Sequence, residues 1–304
     1  MPKSISRGRF PWHELMTPDP DAAIRFYGEV VGWSIEAFPD LPEYRMWMHG
    51  GKPRGGVLRQ NDEDRRRGAA PHWLMYVSVP DTDASIRQAE SLGARLRTPA
   101  KSVPGVGRYA ILADPQGILF ALYTPESAGG SDEAEIGDFS WHELAAPDPN
   151  AAWSFYQTLF GWEKSTAMDM GEAGTYQIFR RGGGKTDVGA FYTRPPDMPG
   201  TAAWLMYARV PSADRAAEQT TRLGGKVLNG PMDVPGGGRI AMCVDPQGAA
   251  FAVHAVAAQG KTKTVEKRVV KKKSVKRKIV KKKTVKKKTV RKKPAKKAAR
   301  KRRR

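Results

Sequence analysis

Apolar and polar positions change their period along this chain at regular intervals, and the changes mark its elements. Residues 10 to 16 read as a half-buried strand that runs into Thr17-Pro18-Asp19-Pro20. Asp19 is placed to cap the free N–H groups of a following helix, and Pro20 at the first helical position loses nothing by lacking an N–H. Ala23, Phe26, Tyr27 and Val30 then recur at helical spacing, and Gly32 supplies a left-handed stop. Strands follow near 33–38, 44–49 and 54–59. The pattern then repeats as a strand at 72–79, a helix at about 82–92, and strands near 95–103, 107–113 and 118–124. In Asp114-Pro115-Gln116-Gly117 the Asp, Pro and Gly stand where a type I turn favours them, so the last two strands form a hairpin.

This unit of two modules occurs twice. At an offset of 129, Trp12-His13-Glu14-Leu15 matches Trp141-His142-Glu143-Leu144, Asp19-Pro20 matches Asp148-Pro149, Phe26-Tyr27 matches Phe155-Tyr156, and Gly32-Trp33 matches Gly161-Trp162. At an offset of 131, Trp73-Leu74-Met75-Tyr76 matches Trp204-Leu205-Met206-Tyr207, and Asp114-Pro115-Gln116-Gly117 matches Asp245-Pro246-Gln247-Gly248. A fainter repeat inside the first half pairs Asp19, Asp21, Ala22, Ile24 and Arg25 with Asp81, Asp83, Ala84, Ile86 and Arg87. The chain therefore divides into an N-terminal arm (1–9), a first domain (10–125), an acidic Gly/Ser-containing linker (126–138), a second domain (139–256) and a tail (257–304).

Charge separates the tail from the rest. Of 52 Lys and Arg, 26 lie between Lys261 and Arg304 with a single acid, Glu266; residues 1–260 hold 26 basic and 30 acidic side chains. The body is thus an ordinary, slightly acidic protein, long enough for two cores of about 100–150 residues each. One cysteine, Cys243, excludes an internal disulfide framework, and its neighbours Ala241, Met242 and Val244 suggest a buried small residue. Without a signal-like apolar run or a membrane span, the expected location is cytoplasmic, with nucleoid association through the tail.

Paired βαβββ modules with an Asp-capped helix, Phe-Tyr within it, Gly-Trp after it and DPxG before the last strand resemble the vicinal oxygen chelate superfamily, the glyoxalase, bleomycin-resistance and dioxygenase group. The resemblance covers about residues 10–256. It implies an α+β fold of two tandem domains, each a cupped sheet of eight strands with helices outside. Metal-binding members carry ligands on the first, fourth, fifth and eighth strands. Transferred to this chain, those places fall on Trp12 and Trp141, near Val57 and Ala190, on Leu74 and Leu205, and on Ala121 and Ala252. None of these side chains can coordinate a divalent cation, so no metal and no other cofactor is expected.

Strand alternation then sorts the repeated His-Glu pair. If Trp12 and Glu14 look into the cup, His13 looks out with Leu15, and His142 does the same in the second half. Glu14 and Glu143 become the carboxylates of the cups and the candidate general bases. Trp12, His72, Tyr76 and Tyr123 join Glu14 as ligand contacts; Trp141, Tyr207 and His254 join Glu143. A structural alternative has each acid bonded to neighbouring strand groups or to a buried Arg such as Arg108 or Arg239. Those arginines end the loops VPGVGR and VPGGGR, which lack phosphate-loop spacing and precede strands.

From residue 271 the tail falls into pentads, KKKSV, KRKIV, KKKTV, KKKTV, RKKPA and KKAAR. A period of five advances about 140° per repeat on a helix, so no apolar face forms, and like charges oppose compaction; disorder is expected. The composition resembles the Lys-rich tails of linker histones and some bacterial nucleoid proteins. Lys271, Lys272, Lys273, Lys276, Arg277, Lys278, Lys281, Lys282, Lys283, Lys286, Lys287, Lys288, Arg291, Lys292 and Lys293 are the expected contacts to nucleic acid, through phosphates and without sequence readout. The leading expectation is a monomeric, metal-free protein that sequesters a small molecule or detoxifies a carbonyl compound, tethered to nucleic acid. The competing one is a lyase, isomerase or dioxygenase with a metal on atypical ligands such as Glu14, His72, Glu143 and His254. A nucleoid protein with the body as spacer is a third.

Overall fold

The computed structural model describes residues 7–256 except 40, 67, 128 and 129. The tail, with all fifteen of its expected nucleic-acid contacts, lies outside the described residues, as does most of the N-terminal arm.

The first half runs β1 (Trp12–Thr17), α1 (Pro20–Val30), β2 (Ser34–Phe38), β3 (Leu41–His49), β4 (Lys52–Arg59), a short α2 (Asp62–Arg66), β5 (His72–Ser78), α3 (Thr82–Ser91), β6 (Arg95–Val103), β7 (Gly107–Ala113) and β8 (Leu119–Pro125). The second runs β9 (Phe139–Ala146), α4 (Pro149–Phe160), β10 (Glu163–Asp169), β11 (Thr175–Arg180), β12 (Asp187–Thr193), β13 (Trp204–Arg209), α5 (Ala213–Arg222), β14 (Lys226–Val234), β15 (Gly238–Val244) and β16 (Ala250–Val256). Each half forms one eight-stranded sheet, ordered β2-β3-β4-β1-β5-β8-β7-β6 and β10-β11-β12-β9-β13-β16-β15-β14. The α+β architecture of paired βαβββ modules is therefore the one the sequence implies. Among the described residues, α2 and a single 3-10 turn at Gly171–Ala173 are the helical elements not anticipated. Among the described residues no helix is long and apolar enough to cross a membrane.

Local chemistry builds these elements as expected. Asp19 Oδ1 accepts from the N–H groups of Asp21 and Ala22, and Asp148 Oδ1 from those of Asn150 and Ala151, which satisfies helix-end donors that would otherwise lack partners. Pro20, Ala23, Phe26, Tyr27 and Val30 form the buried stripe of α1.

Sequence alone does not show that the halves share one core. Phe26 and Tyr27 of α1 pack edge-on against Phe251 of β16, and Phe155 and Tyr156 of α4 against Phe120 of β8. Tyr27 Oη donates to Asp245 Oδ2 at 3.2 Å, and Tyr156 Oη to Asp114 Oδ2 at 3.0 Å. Each phenol also accepts from an indole, Trp73 Nε1 at 3.0 Å and Trp204 Nε1 at 3.2 Å. The glutamines of the two DPQG turns reach the opposite helix cap. Gln247 Oε1 accepts from Asp19 N and its Nε2 donates to Asp19 O, while Gln116 makes the same pair of bonds with Asp148. The Gly-Trp motif crosses too: Trp33 Nε1 donates to Gly137 O and Trp162 Nε1 to Gly8 O, both at 2.8 Å. A Cβ on Gly8 would lie 2.7 Å from Phe160 O, so the close approach requires glycine.

Where the halves meet at β1 and β9, His13 Nε2 lies 2.8 Å from His142 Nε2. Both rings are buried, that of His13 tilted against Phe139 and that of His142 stacked on Phe10. His142 Nδ1 donates to Val188 O at 3.1 Å, so its Nε2 carries the lone pair and accepts from His13. Burial lowers both pKa values, that of His13 well below the usual histidine range and that of His142 to about 3.

Because these folded-state pKa values lie below 6.5, the pair adds stability above pH 6.5 that is lost on acidification, roughly 1 kcal/mol per pH unit per histidine. Glu14 and Glu143, whose pKa values are raised, act in the opposite sense as acid is added. Urea denaturation between pH 7.5 and 5 should therefore show a shallower acid loss in the His13→Gln/His142→Gln double variant than in the parent chain. Parallel pH profiles would contradict the assignment.

Candidate functional site: two carboxylates in two cups

Alternation along β1 sends Trp12 and Glu14 to one face and His13 and Leu15 into the core, where both are buried. The register with β5 sets Trp12 opposite Tyr76 and Glu14 opposite Leu74, and that with β4 sets Glu14 beside Gly56. In the second half Trp141 is opposite Tyr207, Glu143 opposite Leu205, and Ala190 beside Glu143. This corrects one expected position: the first-half residue of the fourth strand is Gly56, because Val57 is buried in the core on the other face. The connections between the third and fourth strands differ in length between the halves, which shifts the count.

Glu14 is 6% exposed and bonded through both oxygens. Tyr44 Oη donates to Oε1 at 2.6 Å and Tyr76 Oη to Oε2 at 2.5 Å, while Trp12 Nε1 donates to Tyr44 Oη at 2.8 Å. The second cup repeats the arrangement. Tyr176 Oη donates to Glu143 Oε1, Tyr207 Oη to Oε2 at 2.7 Å, and Trp141 Nε1 to Tyr176 Oη at 2.9 Å. In both, burial raises the carboxyl pKa, and the tyrosine and tryptophan hydrogen bonds oppose that rise without cancelling it. The phenols Tyr44, Tyr76, Tyr176 and Tyr207 are pushed upward by burial first and by the adjacent carboxylate second, so they remain hydrogen-bond donors.

Of the expected contacts, Trp12, Glu14 and Tyr76 thus come together, as do Trp141, Glu143 and Tyr207. Tyr123 stands edge-on to Tyr76 with ring centroids 6.3 Å apart, and its hydroxyl donates to Val106 O rather than to the acid. His72 begins β5 with its Nδ1 2.9 Å from Ala70 O. His254 Nδ1 is 2.9 Å from Ser140 Oγ. Arg108 and Arg239 do not reach the acids: they make forked ion pairs with Asp83 and Asp214 at the starts of α3 and α5. Cys243 is buried, with its thiol pushed up to about 11 by burial, far from a nucleophile's range.

Four cup residues are not anticipated: Tyr44, Tyr176, Tyr109 and Tyr192. Tyr44 and Tyr176 sit 132 positions apart, so extending the repeat through the third strand would have paired them. Tyr109 and Tyr192 belong to one half each and leave no such trace. A Cβ on Gly56 would stand 2.1 Å from Tyr44 Oη, which explains why that strand carries no side chain beside Glu14.

The residues do not fit a metal of the kind the fold's relatives hold. The four transferred places are Trp12, Gly56, Leu74 and Ala121 in one cup and Trp141, Ala190, Leu205 and Ala252 in the other, with no imidazole, thiolate or carboxylate among them. Among the described residues no three His, Cys, Asp or Glu side chains gather in one place. What the cups offer is one desolvated acid, phenol donors and aromatic walls.

Residues 13–123 match the profile of the glyoxalase-like domain, and residues 138–253 that of the glyoxalase/bleomycin resistance protein/dioxygenase superfamily. The chain is 30% identical over 267 residues to a candidate glyoxylase, CFP32, of Mycobacterium bovis and Mycobacterium tuberculosis, covering 85% of this chain and all of that one. It is 29% identical over 258 residues to the anthracycline biosynthesis protein DnrV of Streptomyces peucetius, covering 80% of this chain and 91% of that one. Among solved structures, the Mn(II)-bound glyoxalase from Novosphingobium aromaticivorans superposes with a TM-score of 0.58 at 17% identity, over 84% of each chain.

Replacing Tyr76 by Phe removes one of the two phenol donors to Glu14. The Glu14 carboxyl should then titrate at still higher pH, read by carbon NMR of labelled glutamate. The variant should lose about 1–3 kcal/mol at neutral pH and less in acid, where the carboxyl is protonated. An unmoved titration would contradict the network.

Proposed function

The chain belongs to the glyoxalase/bleomycin resistance protein/dioxygenase superfamily, and from that premise we propose that its two cups bind small organic molecules without a metal, in a protein held on nucleic acid by its tail. The observation that carries this reading is the pair of matching Trp–Tyr–Glu–Tyr networks on the cup face, in which Trp12 and Trp141 take the first-strand place of a metal ligand. A concave, largely aromatic surface with one polar anchor is the usual chemistry of a small-molecule site. Sequestration needs no more than that. Carbonyl detoxification would use Glu14 or Glu143 as the base, with burial holding its pKa nearer neutrality. The name of DnrV points to anthracycline biosynthesis in that relative.

The competing reading, a metal-dependent lyase, isomerase or dioxygenase, is favoured by the Mn(II) of the Novosphingobium neighbour. Its ligands would have to be Glu14, His72, Glu143 and His254. These are split between two cups, and each already has a hydrogen-bond partner.

The tail completes the proposal. Lys271 to Lys293 would neutralise phosphates with counterion release, so affinity for duplex DNA should fall with a log–log salt slope near −9 if about ten phosphates are engaged. With both cups in one chain, the proposed protein acts as a monomer, and the tail would keep it beside the nucleoid. Fluorescence anisotropy with duplex DNA at several salt concentrations tests the tether. The full chain should bind with that steep slope and a chain ending at Val256 should not; equal binding by the two would overturn it.

A further inference from the structure

We infer that the second half carries a further binding site, on the face of its sheet opposite the cup, for a small polyhydroxylated organic anion of the sugar-acid class. It is independent of what the cups bind. The groove lies between the first turn of α4 and strands β10, β11 and β12, and encloses about 320 Å³, a volume within the range of small-molecule pockets. Strand alternation separates it from the cup. Thr175 and Gln177 line the groove, while Tyr176 between them donates to Glu143; Phe191 lines it next to Ala190, which stands beside Glu143.

The first half closes the same place with its own charges. Arg45 is set opposite Val57 as Gln177 is opposite Phe191, and Arg59 beside Thr17 as Thr193 is beside Ala146. Arg45 therefore corresponds to Gln177 and Arg59 to Thr193, while Asp21 corresponds to Asn150 through the helix caps. In the first half Arg45 is ion-paired with Asp21, and Arg59 donates to Pro18 O. In the second, two arginines give way to shorter neutral side chains and the acid to an amide, so no ion pair spans the groove. Trp153 and Lys164 take the places of Ile24 and Ile35.

The lining sets the class of ligand. Seven of the eight tryptophans donate their indole N–H to a protein oxygen. Trp153 is 6% exposed, yet among the described residues its Nε1 has no acceptor, and it is not sealed from solvent. A buried indole N–H ordinarily finds a partner, and here the groove is where one can enter. The Lys164 ammonium stands 5.4 Å from the centre of the same ring and pairs with no carboxylate among the described residues. A cationic donor beside a neutral donor suits a carboxylate that accepts from both. Lys164 is also the one charged side chain of the lining, so no acid opposes an anion. The hydroxyls of Thr175 and Thr193 and the amide of Asn150 are likewise without protein partners, which suits a guest rich in hydroxyl groups.

The indole N–H signal of Trp153, read by NMR of the full-length chain with nitrogen-labelled tryptophan and assigned with Trp153→Phe, reports on this site apart from the basic tail. D-glucuronate should shift that signal saturably, with a Kd about tenfold below that of neutral methyl glucoside, the order expected for one charge-assisted hydrogen bond. Lys164→Gln, at an exposed position, should erase the difference between the two. Asn150→Asp/Gln177→Arg gives the groove the ion pair of the first half and should abolish the binding of both. Equal affinity for the acid and the neutral sugar, or a preference that survives Lys164→Gln, would overturn the charge class. Inorganic phosphate binding as tightly as glucuronate would overturn the hydroxylated part of the ligand. The absence of a saturable Trp153 shift at millimolar glucuronate, or a shift unchanged in Asn150→Asp/Gln177→Arg, would overturn the site.

Discussion

Two hydrogen bonds from buried phenols to buried carboxylates, Tyr27 to Asp245 and Tyr156 to Asp114, tie each half of this protein to the other. Each aspartate also caps its own hairpin turn, Asp114 Oδ1 accepting from Gln116 N and Ile118 N, and Asp245 Oδ1 from Gln247 N and Ala249 N. One side chain thus fixes a tight turn and anchors the helix of the opposite half. A buried acid left without these donors would be strongly destabilising, so turn, helix and half-to-half contact stand or fall together. The exchange of helices makes the core continuous, from Phe26 and Phe251 on one side to Phe120 and Phe155 on the other.

With the halves locked in this way, the alternation of β1 and β9 has a fixed meaning. The core-facing residues, His13 and His142, meet each other at the junction and are held neutral by burial. Their neighbours Glu14 and Glu143 turn to the opposite face, where phenols donate to both oxygens of each. A slip of one residue would exchange these roles. The packing of His13 against Phe139 and of His142 against Phe10 holds the register, since an acid could not take the place of either ring between aromatic groups.

Much of this was legible in the sequence because it was written twice. The Asp-Pro caps, the Phe-Tyr helices and the DPQG turns mark the modules, the family resemblance implies an eight-stranded sheet for each half, and the alternation puts Glu14 and Glu143 on the cup face. The reason for the repetition was not legible. Phe-Tyr, Gly-Trp and DPQG look like signatures of a single domain, yet each reaches into the other half, and contacts between segments more than a hundred residues apart leave no local periodicity. Tyr44 has no such signature, because it stands 132 positions from Tyr176, off both the 129 and 131 offsets that mark the other repeats. Of the structural alternative, the part with neighbouring strand groups holds, since Tyr44 and Tyr76 bond Glu14, and the buried-Arg part does not, because Arg108 finds a nearer acid in Asp83, at the start of the adjacent helix. Val57 was one residue off because the loops before it differ in length between the halves.

In the proposed function the cups gather a small molecule with side chains alone, and the tail positions it next to a polyanion. The central claim is that aromatic and aliphatic residues at the ligand positions of the fold, with Glu14 and Glu143 occupied by phenols, leave nothing to hold a catalytic cation. Elemental analysis of chain purified without chelator tests this most directly. The account predicts Zn, Mn, Fe and Ni well below one equivalent, unchanged by Glu14→Ala and Glu143→Ala. A stoichiometric metal lost in either variant would contradict it.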